Sequence, residues 1–415
     1  MIAGSVLTAE SAVIPLPSMR GLTFAMLSWL FAAGLAGAQT SADLFDPDTL
    51  QDVRLFINSR DLQQMRERFT EDTFFAADLE WRGIRVRNAA VRNKGLATRN
   101  PTKLGLRVDF AHYTAGQRFL GMRSLLLDNL WTDPSMMRER VSMAFFARLG
   151  QAAPRESYCR LFINNVLQGV YALVEDVDPT FVSRSIDDGL GYLHEYRFVA
   201  PYFGEFLGED LEAYKSRFAV RSHDGEPDST QYGPIRDMFR AISQAGAATW
   251  ESEVDPLLDL SQFVTHVAIE QFLAENDGIL GAAGMANFYL YRPSNSARHR
   301  LIVVDKDTTF FDVRFSVLTR TDENVIFRQA LAAPRLRALY LQVLEDCARA
   351  AAADGGLDAE ITRALAVIDA AVREDPLKQF SNDAFDQATA SMRAFARERP
   401  GIVLSDVARL RLGQP

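Results

Sequence analysis

The sequence predicts an α+β fold of two lobes: an antiparallel-sheet amino-terminal lobe, a mostly helical carboxy-terminal lobe and a helical extension at the end. Two observations predict it. Between Leu79 and Phe110 apolar residues recur at alternate positions, the period of half-buried strands. Beyond Phe327 they recur at three- and four-residue spacing, as in the stripes Leu336, Leu339, Tyr340, Val343, Leu344, Cys347 and Ile361, Leu365, Ile368, Val372. The chain has 415 residues, enough for a two-lobed unit, and 48% hydrophobic content is ordinary for a globular core.

The elements follow in order. Val53 to Ile57 reads as a strand and Asp61 to Phe69 as a short helix. Ile84, Val86 and Val91 alternate with arginines around a turn at Asn88. Leu104, Leu106, Val108 and Phe110 alternate with Lys103, Gly105, Arg107 and Asp109, which places Lys103 on the polar face of a strand. Asp133-Pro134-Ser135 opens a helix from about Met136 to Leu149, closed by Gly150. Tyr158 to Ile163 and Gly169 to Glu175 form a hairpin about the turn Asn164-Asn165. Asp176 to Asp178 then serves as a hinge. Ile235 to Ile242 and Phe263 to Leu273 are helical, and the last helix begins near Asp386 and is interrupted at Pro400-Gly401. The expected divisions are a signal peptide (1–38), the amino-terminal lobe (43–175), the carboxy-terminal lobe with the catalytic segment (176–330) and the helical end (331–415).

Composition and charge narrow the function. A net charge of −9 argues against general nucleic-acid binding, which needs a basic surface. The cations Arg82, Arg85, Arg87, Arg92, Lys94, Arg99, Lys103 and Arg107 nonetheless form a run without Asp or Glu, read either as a solvated sheet face or as a phosphate-binding lobe. Leu22 to Gly34 is an uncharged apolar core preceded by Arg20 and followed by Ala36-Gly37-Ala38, the pattern of a cleavable export signal. The mature chain is expected to begin near Gln39, to lie outside the cytosol (secreted, periplasmic or in the cell envelope) and to keep no stable membrane span; an uncleaved anchor is the alternative. Cys159 and Cys347 read as buried free thiols, no Cys/His pattern suggests zinc, and His266 on an apolar helical run reads as structural.

The chemistry concentrates between Glu270 and Phe310. Asp277 follows a helix, and Asn287 opens a hairpin of Phe288 to Tyr291 and Leu301 to Val304, turned through Pro293 to Ser296. Asp305 and Asp307 follow it. Protein kinases arrange their chemistry in this order: an Asp for the substrate hydroxyl, then an Asn and a second Asp that hold metal on ATP. The plain alternative is that Asp and Asn favour loops because they hydrogen-bond their own backbone.

Five segments resemble the CotH kinase family, the spore coat protein H type of atypical secreted protein kinase. They are Val91-Arg92-Asn93-Lys94-Gly95 with Pro101-Thr102-Lys103; Asp133-Pro134-Ser135-Met136-Met137-Arg138-Glu139; Asn164-Asn165 through Gly169-Val170-Tyr171 to Glu175; Asn276-Asp277 with Asn287-Phe288-Tyr289; and Asp305-Lys306-Asp307-Thr308-Thr309-Phe310. The resemblance covers about Leu50 to Phe327. It implies an atypical protein-kinase-like fold, ATP, and Mg2+ or Mn2+. It assigns Lys103 to the nucleotide phosphates with Glu139 as its orienting partner and Arg92 and Lys94 nearby. It makes Asp277 the catalytic Asp and Asp305 the metal ligand, with Asp307 and Asn287 as helpers. Lys94 stands where the family has Arg, Val304 where it has Trp, Asn165 where it has Gly, and Lys306 separates the two acids.

The leading expectation is a secreted, metal-dependent kinase that phosphorylates Ser or Thr of an exported or cell-surface protein. The alternatives are an inactive kinase fold used for binding or surface assembly, and another nucleotide transfer such as adenylylation.

Overall fold

Alternation builds the amino-terminal part. In the computed structural model, which describes Met1, Gly4 and residues 39–413, strand β1 (Leu50–Ile57) buries every second residue. It is followed by β2 (Phe75–Trp81), β3 (Ile84–Asn93), β4 (Leu106–Asp109), β5 (Ser124–Asp128), β6 (Glu156–Ile163) and β7 (Val166–Glu175). Their order, β1-β2-β3-β4-β5-β7-β6, closes into a barrel. All neighbours are antiparallel except the closing pair, where β1 and β6 run parallel from Leu50↔Tyr158 to Leu55↔Ile163. The expected antiparallel sheet is corrected on this point: it closes into a barrel through one parallel pair. A parallel pair needs a long crossover rather than a turn, so no local signal announces it. Closure removes the exposed edges of β1 and β6. Leu55, Leu79, Leu106, Leu127, Leu161 and Leu173 fill the barrel, each contributing about 1.5–3 kcal/mol of burial.

The β6–β7 hairpin turns at Asn164 and Asn165, with φ of 50° and 66°. Both central residues are left-handed, the conformation that a two-residue hairpin favours and that Asn tolerates.

The helices are α1 (Ser41–Leu44), α2 (Ser59–Glu67), α3 (Arg138–Arg148), α4 (Pro179–Ile186), α5 (Glu212–Lys215), α6 (Asp228–Gln244), α7 (Trp250–Val254), α8 (Leu260–Phe272), α9 (Val325–Ala332), α10 (Pro334–Ala352), α11 (Leu357–Arg373) and α12 (Asn382–Arg411). Asp133 starts α3 as expected: its Oδ2 accepts from the N–H groups of Met137 and Arg138 at 2.8 and 2.9 Å. A second sheet, ordered β11-β10-β8-β9, lies within the helical part and contains β8 (Tyr192–Tyr196), β9 (Phe218–Val220), β10 (Phe288–Arg292) and β11 (Arg300–Val303). The predicted 288–304 hairpin is thus formed, with Phe288 opposite Val303.

The largest core gathers α8, α9, α10 and α12 through Phe263, Phe327, Tyr340, Leu344 and Phe395. Here α12 passes through Pro400 without a break, contrary to the interruption expected there. The helix is held from the side. The buried guanidinium of Arg399 donates to the carbonyls of Gln271, Phe272, Val313 and Phe315, tying α12 to the end of α8 and to the loop after β11. That anchoring outweighs the hydrogen bond lost at proline.

Residues from Ser41 onward form one compact unit. Cys159 and Cys347 are free and buried, as read from their surroundings. Among the described residues no helix is long and apolar enough to cross a membrane. The export signal expected at 1–38 lies outside the described residues.

Candidate functional site

Lys94 is the residue that immediately follows β3. Its Nζ pairs at 3.1 Å with Asp128 at the end of β5, and its side chain enters a cavity of about 110 Å³. Glu139 from α3, Asp305 after β11 and Asn287 before β10 line the same cavity. Asp176 and Val177 of the predicted hinge form another wall with Glu175, Leu126 and Val174. The barrel and the helical part therefore meet at a cleft, and the cleft carries one cation from the barrel and acids from both sides.

The electrostatics are those of an acid-rich recess. Burial works against the charge on Lys94, but Asp128, Asp305 and Glu139 hold its ammonium protonated beyond the ordinary range. Burial, and then the charges of Glu156, Asp305 and Asp128, push Glu139 well above the usual carboxyl range. Asp305 opens onto the cleft yet is flanked by protein; its carboxyl is also raised, by desolvation and by Asp128, against the pull of Lys94. Asp307 is pushed up to about 8 by desolvation and by Asp305, and it accepts a 2.7 Å hydrogen bond from Thr132. One lysine does not balance these acids.

Asp277 sits in the loop after α8. Asn287 Nδ2 donates to its carboxylate at 3.1 Å and to its carbonyl at 2.9 Å. Desolvation is the main cause that raises its carboxyl. Glu275 braces this loop, accepting from the Asp277 N–H at 2.7 Å and from the Thr308 hydroxyl. Beneath it Lys306 is fully buried, paired with Glu270 at 2.9 Å and donating to the Asn287 carbonyl at 3.0 Å. Glu270 also meets His266 at 3.1 Å, so His266 is structural as expected. Lys306 pairs with neither flanking Asp. The backbone is strained in the same place: Ala274, Asn287, Asp305 and Phe310 have φ between 54° and 58°. For Phe this is a costly conformation, and such residues persist only where the surroundings over-determine them.

Two of the expected phosphate ligands are placed elsewhere. Lys103 is not on the polar face of a strand. β4 begins at Leu106, so alternation does not extend back to it. It is buried, and its Nζ donates at 2.8 Å to both Asp375 and the Val170 carbonyl. Arg92 pairs with Asp72 at 2.8 Å and does not line the cleft. The basic run is dispersed: Arg85 meets Asp78, Arg99 meets Asp72 and Arg107 meets Asp176. Of its members, Lys94 alone lines the cleft cavity.

The sequence reading missed Asp128, Glu156 and Glu275. Asp128 ends a strand of leucines, which is a weak signal for a site residue; the other two become visible only when the elements are assembled. Among the described residues no three His, Cys, Asp or Glu side chains converge as a metal cage. Asp305 and Asp307, with Asn287 nearby, suit instead a hard cation that brings most of its own oxygen ligands, as magnesium does on a nucleotide.

A closed barrel and a helical body thus meet at a cleft lined by Lys94, Glu139, Asn287 and Asp305, in a mixed α+β fold. The chain belongs to the CotH family: the model of the family described as CotH kinase protein matches residues 91–403. That match takes in the helical end, beyond the stretch that the motifs covered. The chain is 24% identical over 262 residues to inner spore coat protein H of Bacillus subtilis (strain 168), covering 62% of this chain and 68% of that protein. It is 40% identical over 110 residues to the inner spore coat protein H-like protein of the same organism, 23% of this chain and 36% of that protein. It is also 24% identical over 206 residues to invasin CotH3 of Rhizopus delemar (strain RA 99-880 / ATCC MYA-4621 / FGSC 9543 / NRRL 43880), 47% of this chain and 33% of that one. In these last two pairs the chain spans about a third of the relative's length.

Proposed function

We propose that this protein is an exported, metal-dependent kinase that transfers the γ-phosphate of ATP to a Ser or Thr hydroxyl of another exported or surface protein. The observation that carries the reading is the shared lining of one cleft by Lys94, Glu139, Asn287 and Asp305. Lys94 takes the phosphate-binding role that sequence reasoning gave to Lys103. Asp128 and Glu139 hold its ammonium charged and in place. Asp305, with Asp307 and Asn287 beside it, would hold Mg2+ or Mn2+ on the nucleotide, where the metal offsets phosphate charge. Asp277, fixed by Asn287, would orient the acceptor hydroxyl and take its proton; a raised carboxyl pKa suits that role. The cavity, about 110 Å³, is smaller than the roughly 300–1,000 Å³ usual for small-molecule sites, so ATP would extend beyond it along the open cleft.

A second reading is assembly without catalysis. The names of the relatives, coat proteins and an invasin, favour it. One experiment separates the readings: incubation with ATP, Mg2+ or Mn2+ and candidate exported proteins, followed by intact mass. A gain of phosphate on Ser or Thr supports the kinase. A gain of AMP replaces it with adenylylation. Tight metal–ATP binding without transfer, or no binding, leaves assembly.

A further inference from the structure

A larger cavity, about 440 Å³, lies further along α3. It is walled by α3, the start of α11, the segment Phe45 to Pro47 and the approach to β6. Its apolar surface comes from Phe45, Val141, Ala144, Pro154 and Leu357. Nothing in the proposed phosphotransfer uses it.

Its polar groups are unevenly satisfied. Arg155 and Arg184 share the single carboxylate of Glu175, which leaves one positive charge over, and Arg363 pairs with Asp48. Arg140 is 4% exposed and pairs through Nη1 with Glu360, but its Nε has no hydrogen-bond partner among the described residues. Glu156 is 7% exposed, and neither carboxylate oxygen has a partner. Arg148, at the rim, donates only to the carbonyls of Asp354 and Gly355 and meets no carboxylate. Arg148 and the surplus positive charge of the Arg155–Arg184 pair, around one partly apolar hollow, are a binding site's chemistry rather than a packing remainder.

We propose that this cavity binds a small amphipathic anion. Arg148 and the Arg155–Arg184 pair receive its acidic group, and the apolar wall holds an aromatic or alkyl body. The site stands independently of the kinase reading, since it is defined without nucleotide or metal.

The probe is 8-anilinonaphthalene-1-sulfonate, which carries an apolar body, one N–H donor and one anionic group. Its uncharged counterpart, N-phenyl-1-naphthylamine, has the same body without the sulfonate. Fluorescence titration of the intact protein is expected to give one saturable sulfonate site, and the uncharged probe to bind at least tenfold more weakly. Arg148→Glu should weaken the sulfonate tenfold or more, and Ala147→Trp should block the mouth and abolish binding. Both positions are exposed, so thermal unfolding should be unchanged. Absence of a saturable site, equal affinity for the two probes, or affinity unchanged in both folded variants would overturn the proposal.

Discussion

The ammonium of Lys103 and the carboxylate of Asp375 lie 2.8 Å apart, although 272 residues separate them in the chain. Asp375 follows α11 and also accepts from the Val170 N–H at 2.8 Å. A Cβ at Gly169 would fall 2.1 Å from the Asp375 carboxylate, so only glycine lets this contact form, and its φ of 107° requires glycine as well. A buried ion pair thus pins the helical end to the barrel beside β7. Burial pulls the Lys103 pKa down, and Asp375 opposes that pull.

The first prediction follows from this pair. Lys103→Ala leaves Asp375 charged and uncompensated, and should cost about 3–5 kcal/mol of stability. Asp375→Ala should cost a similar amount. Urea unfolding of the two variants and of their combination measures the coupling. A double variant no worse than either single one is the expected result. A Lys103→Ala protein of parental stability would refute the locking role.

Lys94→Ala makes the contrasting case. Lys94 is partly open to the cleft, so its loss should leave the fold intact while weakening ATP binding by tenfold or more. Binding by a fluorescent ATP analogue, with Lys103→Met as a comparison, distinguishes the two lysines. Unchanged affinity in folded Lys94→Ala would remove it from the site.

These two lysines show what was legible in the sequence. Where structure is local, the reading holds: the hairpin after Asn287, the Asn164-Asn165 turn and the Asp133 start of α3 each depend on residues a few positions apart. Where partners are distant, it fails. Alternation placed Lys103 on a polar face because the pattern ran past the true start of β4, and Asp375 gave no sign that it would lie alongside. The parallel β1–β6 closure and the passage of α12 through Pro400 depend on contacts that arise only when the whole chain has folded. The acids of the cleft were largely legible because they occupy loop ends, whereas Asp128 was concealed in a strand.

Acid should weaken the support beneath the loop from Glu275 to Asp277. Burial would raise the Glu270 carboxyl, but Lys306 and His266 hold it at about 2, below its ordinary 4.5. A folded-state pKa below the unfolded one contributes stability above about pH 4.5, and that contribution is lost as pH falls towards 2. About 1 kcal/mol should be gone by pH 4. Glu270→Gln should be less stable than the parent at pH 7, with the gap narrowing below pH 4.5. A gap that stays constant from pH 7 to pH 4 in urea titrations would contradict the assignment.

The two Asp residues on either side of the β10–β11 hairpin should fail in different ways. Asp305 opens onto the cleft, and the other acids of the recess, Asp128 and Asp307, share its field. Asp305→Ala should therefore abolish the dependence of nucleotide binding on Mg2+ or Mn2+. Asp277 is tied to Asn287 and stands beside the proposed acceptor. Asp277→Ala should bind metal–ATP as the parent does and transfer phosphate about 10²-fold more slowly or worse. Asn287→Ala should reproduce part of the Asp277 defect, because it frees the carboxylate that the 3.1 Å hydrogen bond positions. Titration of each variant with ATP with and without metal, followed by single-turnover transfer, reads binding and chemistry separately. Identical losses of metal-dependent binding in Asp277→Ala and Asp305→Ala would merge the two roles, and parental transfer rates in both would exclude phosphotransfer at this cleft.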